Sequence, residues 1–203
     1  MNSTRLALIT VVPAALLAML AGCASPVAAT TGTTTAPSVT QQSSESAAGP
    51  HNQADTTFAQ MMVIHHEGAI EMATLAEKNG SSGEIRSLAG RIRAAQGPEI
   101  AQMRGWLQKW GEPAPEDSDM AGMGHEGMDM GGLDQQAAMD ELTKLAGEEF
   151  DKTFLTLMIQ HHQGALTMAN QEVADGENTE AIALAKLIIS AQQKEIAEMQ
   201  ALS

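Results

Sequence analysis

The sequence predicts an all-α protein, a four-helix bundle assembled from two duplicated helical hairpins. The first observation behind this prediction is an internal repeat: residues 55–106 align without gaps to residues 151–202, with about 21 identities in 52 positions. The second is that apolar or small residues recur at steps of three and four, without the alternation typical of strands. Because each hairpin has one apolar stripe, the two hairpins are expected to bury their stripes against each other.

The individual elements follow from the same pattern. The first repeat predicts helices over residues 58–76 and 85–107, joined at Asn79-Gly80, where we expect the positive φ that often ends a helix. Asp175-Gly176 is the matching joint of the second repeat. Pro98 is expected to bend its helix. A short helix around residues 134–146, broken at Gly147, leads into the second repeat. The predicted domain is residues 54–203, divided into a first hairpin (54–110), a loop (111–133) and a second hairpin (134–203).

The N-terminus has the form of a targeting segment. Arg5 precedes an apolar run over residues 6–20 that is too short to span a membrane with confidence, followed by Leu20-Ala21-Gly22-Cys23. This tetrapeptide resembles a bacterial lipoprotein box. We therefore predict that residues 1–22 are a signal peptide and that acyl chains (palmitate) on Cys23 anchor the protein to the extracytoplasmic face of the cell membrane. The alternatives are an ordinary signal peptide or an uncleaved anchor.

Residues 23–53 are predicted to be a disordered tether. They consist mainly of Thr, Ser, Ala, Pro and Gln, with almost no large apolar side chains. Such a segment cannot bury enough surface to offset the entropy lost on ordering.

Composition excludes several classes of function. The chain has 25 acidic and 11 basic residues, a net charge of −14, so it lacks the positive surface that nucleic-acid binding requires. Its single cysteine excludes a disulfide framework, a cysteine-based zinc site and an iron–sulfur cluster within one chain. Thioether and imidazole groups are plentiful, because the chain has 14 methionines and six histidines.

Candidate metal ligands line the predicted bundle interior. In the first repeat, Met61, His65 and Met72 share one helical face, with Met62 and His66 beside it. A register centred on Gly80 places Gln96 and Glu99 of the next helix level with His65 and Met61. Both histidine pairs also fall near the waist of the bundle. The candidate ligands there are Met61, Met62, His65, His66, Met72, Glu99, Met103, Met158, His161, His162, Met168, Glu195 and Met199.

These ligand types favour a soft cation. A carboxylate-bridged di-iron bundle needs Glu-x-x-His, whereas Met62 and Met158 occupy the positions three before His65 and His161. Thioether and imidazole without thiolate favour Cu(I), or Ag(I) as its mimic, and zinc is the less favoured alternative. Methionine and histidine on an apolar face are also ordinary core residues. Duplication of the pairs argues against packing as their only role.

The loop between the repeats carries a second set of soft ligands. Four methionines and one histidine lie within eleven glycine-rich residues: Met120, Met123, His125, Met128 and Met130. Exposed methionine is prone to oxidation, so such a cluster favours a role in capturing Cu(I) and passing it to the bundle. A low-complexity linker is the alternative.

At the level of motifs, the chain resembles a known bacterial family. Each repeat contains His-His-x-Gly-Ala-x-x-Met-Ala, preceded by methionine and followed by Gln-x-x-Glu-Ile-x-x-Met. These paired motifs resemble the family named "domain of unknown function 305", over about residues 54–203. The resemblance implies a ferritin-like helical fold and an extracytoplasmic copper-binding protein. It implies ligation by Met62, His65, His66 and Met72, and by Met158, His161, His162 and Met168.

The leading functional hypothesis is a lipid-anchored protein that buffers, sequesters or transfers copper, with another copper-handling envelope protein as a possible partner. A homo-oligomer is compatible with the sequence. One alternative is a metal-dependent oxidoreductase, although no catalytic constellation is evident and a binding protein is favoured over an enzyme. The other is a helical envelope interaction module in which the histidines are structural.

Overall fold

A computed structural model describes residues 49–115 and 134–203 of the chain. These residues form five helices and no strand: α1 (Gln53–Asn79), α2 (Gly83–Trp110), α3 (Gln135–Leu142), α4 (Gly147–Asp175) and α5 (Thr179–Leu202). The all-α prediction is therefore confirmed. Several predictions lie outside the described residues: the signal peptide, Cys23, most of the tether and the loop ligands Met120, Met123, His125, Met128 and Met130.

Four of the five described helices start where a local side chain accepts hydrogen bonds from the first backbone N–H groups, whereas α4 begins after Ala146 without a side-chain cap. Asn52 caps α1 in a capping box with Asp55, in which each side chain accepts a hydrogen bond from the backbone of the other residue. Asn178 caps α5 through the N–H groups of Glu180 and Ala181. Ser82 and Asp134 cap α2 and α3 in the same way. The helix α2 continues through Pro98 to Trp110.

The turn glycines have a different role from the one predicted. Gly80 and Gly176 have φ angles of −54° and −68°, so the expectation of a positive φ there was wrong. Glycine is required at these positions by close approach. A Cβ atom would lie 2.7 Å from the Ala76 carbonyl oxygen at Gly80 and 2.6 Å from that of Glu172 at Gly176. Positive φ occurs instead at Gly111 and Gly147.

The two repeats pack against each other through α1 and α4. The helix α1 packs on α2, α4 packs on α5, and α1 and α4 pack on each other. The apolar core forms two clusters, each of which draws residues from both repeats. The α3 cluster joins the C-terminal half of α1 to α3 and the N-terminal half of α4. The tryptophan cluster, around Trp106, joins the N-terminal half of α1 to the C-terminal half of α4. The helices α1 and α4 are therefore antiparallel.

One aspartate of each repeat accepts hydrogen bonds from the turn between the two long helices of the other repeat. Asp151, near the start of α4, accepts hydrogen bonds from the backbone N–H and the hydroxyl of Ser81, at 2.9 and 2.5 Å. Asp55, near the start of α1, accepts from the backbone N–H groups of Glu177 and Asn178. Because Asp55 and Asp151 are equivalent positions of the repeat, these contacts form an approximate two-fold pair.

The last residues assigned to the tether lie against the bundle. Asn178 donates to the backbone oxygens of Gly49 and Pro50, and the His51 ring stacks on Trp110 with a 4.5 Å centroid distance. These contacts place residues 49–52 with the folded domain, a few residues before the predicted boundary. Among the helices that the structure describes, none combines the length and the apolar character needed to cross a membrane.

Candidate metal centre

Four histidines form a polar layer between the two apolar clusters. We call His65, His66, His161 and His162 the imidazole layer; all four are buried. Their helices α1 and α4 cross here, and the rings of His65 and His161 are in contact, with a centroid distance of 3.7 Å and an interplanar angle of 47°. The prediction that the two histidine pairs approach each other at the waist is therefore confirmed.

The outer two histidines are each held by a carboxylate. His66 Nε2 lies 2.7 Å from Glu99 Oε2, and His162 Nε2 lies 2.7 Å from Glu195 Oε2. A carboxylate oxygen can only accept a hydrogen bond, so this contact assigns the ring proton to Nε2 in both histidines. In the neutral form of each ring, the lone pair is then on Nδ1.

Three Nδ1 atoms of the imidazole layer are buried. Among the described residues, the Nδ1 atoms of His66, His161 and His162 have no hydrogen-bond partner. An unpartnered polar atom in a protein interior is unfavourable, and such atoms are commonly found where a ligand or ion binds. A ring that donates one nitrogen proton to a carboxylate and offers the other nitrogen is the usual arrangement of a metal-ligating histidine.

Electrostatics favours the neutral form of the His161 ring. Burial lowers the pKa of His161 well below 6.5, and the neighbouring histidines His65, His162 and His66 lower it further. A hydrogen bond with the His65 backbone opposes this effect without reversing it. A neutral imidazole offers a lone pair to a cation, whereas a protonated ring would repel it.

The predicted methionine ligands lie on both sides of the layer. Met72, Met158 and Met199 belong to the α3 cluster. Met62 and Met103 belong to the tryptophan cluster, on which the half-buried Met168 also packs. Each cluster therefore has three candidate methionines, and each set includes both repeats. Met61 is nearly buried and is replaced by Leu157 in the second repeat.

The carboxylates have a different position from the one predicted. Glu99 and Glu195 were expected level with Met61 and Leu157, as metal ligands, but they contact His66 and His162, further along α1 and α4. The register is displaced by about one helical turn, because the joint comprises residues 80–82 and α2 begins at Gly83. Glu99 and Glu195 therefore hold the rings of His66 and His162 in this structure.

Two buried glutamines are absent from the predicted set of ligands. Gln96 and Gln192 are buried, and in the described residues the Gln96 amide and Gln192 Oε1 have no hydrogen-bond partner. Their conservation between the repeats, at the same spacing from Glu99 and Glu195, was the available sequence signal.

The layer is not a preformed coordination sphere. Within the part of the chain that the structure describes, no three His, Cys, Asp or Glu side chains are grouped as a metal site. Two imidazoles bound to one ion through nitrogens at about 2 Å place their ring centres roughly 5 Å or more apart. An ion shared by His65 and His161 would therefore require their rings to separate.

A cavity of about 460 Å³ lies beside the layer. His65 and His161 line it, together with Glu67, Glu71 and Arg104. Gln135 of α3 closes one side by donating to the Gly68 carbonyl oxygen and to Glu71, both at 3.1 Å. A Cβ atom at residue 68 would lie 2.7 Å from Gln135 Oε1, so a glycine allows this close contact.

A protein-family model matches most of this architecture. The model "Domain of unknown function (DUF305)" matches residues 55–203, which include both repeats. The chain belongs to the DUF305 family. The resemblance inferred from the paired motifs is therefore confirmed. No curated protein is significantly similar in sequence to this DUF305 chain.

Solved structures of the DUF305 family share the fold. A DUF305 fragment from Deinococcus radiodurans is 31% identical, with a TM-score of 0.66 over 75% of this chain and 97% of the fragment. A DUF305 protein from Streptomyces coelicolor is 33% identical, with a TM-score of 0.64 over 73% of this chain and 89% of that one. The protein CopM in its Cu(I)-bound form is 32% identical, with a TM-score of 0.59 over 73% of this chain and 94% of CopM. CopM structures also exist with Ag and with Cu(II).

Proposed function

We propose that this protein binds Cu(I), with Ag(I) as its mimic, on the extracytoplasmic face of the cell membrane, where it buffers, sequesters or passes on the ion. The observation that carries the proposal is the set of buried, unpartnered Nδ1 atoms of His66, His161 and His162. These atoms fit a metal ion that is cargo of the protein, because each is an unpartnered imidazole nitrogen within a few residues of a buried thioether. The similarity to CopM supports the same chemistry.

The roles of the residues follow from their positions. The four imidazoles of the layer supply nitrogen ligands, and Glu99 and Glu195 fix the rings of His66 and His162. Met62 and Met158, one helical turn before those rings, are the nearest thioethers in sequence. Imidazole and thioether suit a soft monovalent ion, and thioethers tolerate an oxidising compartment in which free thiols would be lost to disulfides.

Anaerobic competition with a colorimetric Cu(I) chelator tests copper binding. We compare the full chain in detergent with two variants, the quadruple His65→Ala/His66→Ala/His161→Ala/His162→Ala and the double Glu99→Gln/Glu195→Gln. The quadruple variant is expected to lose tight binding. The double variant keeps all four rings but weakens their orientation, so its affinity is expected to fall about 10- to 100-fold.

Thermal unfolding separates a lost site from a lost fold. Cu(I) should raise the melting temperature of the full chain, because a ligand that binds only the folded state stabilises it. If the full chain and the quadruple variant take up copper equally weakly, and Cu(I) leaves both melting temperatures unchanged, the protein is a helical module with structural histidines. If Zn(II) displaces Cu(I) at comparable concentrations, the preference for a soft ion is wrong.

The membrane anchor is a separate part of the proposal and has its own test. Cys23 follows a signal-like segment and a lipoprotein-like tetrapeptide. The wild type is expected to carry acyl chains and to partition into detergent, whereas Cys23→Ser should remain in the aqueous phase. An intact-mass measurement that shows an unmodified Cys23 in the mature chain would overturn lipidation without affecting the copper site.

A further inference from the structure

The cavity beside the imidazole layer connects a buried ligand to the surface. One of its walls is His161, which is 4% exposed and whose Nδ1 atom has no hydrogen-bond partner among the described residues. At the rim, Glu71 is exposed, and Glu67 and Arg104 are half-buried. A cation that entered this cavity would pass the two carboxylates before reaching an available imidazole nitrogen.

The rim contains an ion pair that an entering cation could rearrange. Arg104 Nη2 lies 2.7 Å from Glu67 Oε1, and both side chains are partly accessible to solvent. Glu71 accepts a hydrogen bond from Gln135 but has no ion pair among the described residues. The two carboxylates and one guanidinium leave one net negative charge at the opening, which attracts cations.

This charged rim is absent from the second repeat. The positions equivalent to Glu67, Glu71 and Arg104 are Gln163, Thr167 and Gln200, all exposed and all uncharged. The two-fold relation that duplicates the four histidines and the two glutamates bound to them therefore does not extend to the charged residues around the cavity. The layer has a charged approach on the first-repeat side.

We propose that this cavity is the route by which the cation reaches the imidazole layer, with Glu67 as a transient carboxylate ligand that exchanges Arg104 for the ion. The inference rests on the proposed function. It adds the path that the ion takes and the face of the imidazole layer at which the ion enters. Glu67 and Arg104 act on the rate of binding with opposite sign. The carboxylate attracts the ion, and the guanidinium competes with the ion for that carboxylate.

Stopped-flow measurement of Cu(I) uptake by the full chain in detergent tests the route. Cu(I) is kept in solution with acetonitrile, mixed anaerobically with protein at low ionic strength, and followed by near-ultraviolet absorbance. Glu67→Gln is expected to slow the second-order binding rate about tenfold, because a neutral rim no longer attracts the ion. Arg104→Gln is expected to accelerate it, and high salt should reduce both differences.

Matched controls come from another ion pair between the same two helices. Arg93 Nε lies 3.1 Å from Glu77 Oε2, and neither residue lines the cavity. Glu77→Gln and Arg93→Gln change the net charge of the protein by the same amounts as the test variants. They are expected to leave the uptake rate within about twofold of wild type. Chelator competition at equilibrium should give the wild-type affinity for both control variants.

The outcomes distinguish this inference from the function on which it rests. Equal rates for Glu67→Gln and Glu77→Gln would overturn the route while leaving copper binding intact. Loss of stoichiometry in Glu67→Gln, without a change in rate, would make Glu67 a resident ligand and also overturn it. Failure of the wild type to take up Cu(I) would overturn the proposed function and the route together.

Discussion

At the scale of single residues, buried polar groups in this bundle are accommodated in different ways. His66 and His162 keep a carboxylate at 2.7 Å. Glu172 of α4 is 1% exposed, and no donor in the described chain reaches either of its oxygens. Burial and the nearby carboxylate of Asp55 raise the pKa of Glu172 to about 8. Glu172 is therefore protonated in the folded protein at pH 7, whereas in the unfolded chain it is ionised.

Asp55, the neighbour of Glu172, keeps its charge. Burial alone would raise the pKa of Asp55, but hydrogen bonds from the backbone of Asn52, from Glu172 and from the backbone of Asn178 and Glu177 lower it below 3.8. The pKa of Asp55 is lowered and the pKa of Glu172 is raised, so the two carboxyl groups lose their protons in different pH ranges. Asp55 holds the α4–α5 turn at all pH values above its own pKa, and Glu172 supplies the neutral partner.

This difference predicts that stability falls as pH rises. Between pH 4.5 and about 8, the folded state keeps a proton on Glu172 that the unfolded state releases, so the free energy of unfolding decreases across that window. Glu172→Gln removes this pH dependence. At pH 9 the variant is expected to be more stable than wild type by roughly 4 kcal/mol, and at pH 5 the two should be similar. Urea denaturation at several pH values measures the effect.

The exposed Glu177 provides a control for this prediction. It lies in the adjacent turn and contributes only its backbone N–H to Asp55, so Glu177→Gln should reproduce the pH profile of the wild type. If Glu172→Gln also follows the wild-type profile, Glu172 does not hold its proton in the folded protein.

At the scale of helices and turns, local chemistry made most elements predictable. The periodicity depends on neighbours within a few positions, so the helices were placed correctly. The long helices extend a few residues beyond their predicted ends, whereas α3 ends at Leu142, before the predicted residue 146. The turn glycines were located correctly, but their role was not. Whether a glycine is needed for its φ angle or for close approach depends on the path of the following chain, which the sequence does not display.

The pairing between helices was predicted less well than the helices themselves. The repeat and a simple register placed the histidines, Glu99 and Glu195 in one layer, and they do lie together. The predicted register, which set Glu99 level with Met61, was displaced by about one turn, since Glu99 contacts His66. The contact between a glutamate and a histidine ring depends on the length of the joint and on the reach of the glutamate side chain. An error of three residues in the register moves a side chain along the helix by about 4.5 Å.

At the scale of the whole molecule, each repeat completes the other. The α3 cluster and the tryptophan cluster both draw residues from α1 and α4, and Asp55 and Asp151 each bind the turn of the opposite repeat. Neither hairpin therefore has a closed core of its own. The layer between the clusters exists only when the antiparallel α1 and α4 meet.

This arrangement predicts that the halves are not independent domains. Fragments 49–115 and 134–203, produced separately, are each expected to lack a cooperative thermal transition, because their apolar stripes are left exposed. An equimolar mixture should recover a cooperative transition close to that of the joined chain. Circular dichroism melts of each fragment, the mixture and the intact protein measure this.

Size-exclusion chromatography provides the control, since fragment 49–115 could associate with its own copy in place of the second repeat. A cooperative transition in a fragment that is monomeric by this measure would show that one hairpin has a sufficient core, and would contradict the prediction.

The sequence by itself determined the helical class, the duplication, the family and the identity of the soft donors, because periodicity, repeats and residue chemistry are readable along one chain. Only the tertiary structure decided which carboxylate orients which imidazole, which ring nitrogens are left without a partner, and which side of the layer carries charges. Those features depend on distances between helices that are far apart in sequence. At that range a displacement of one helical turn exchanges one neighbour for another.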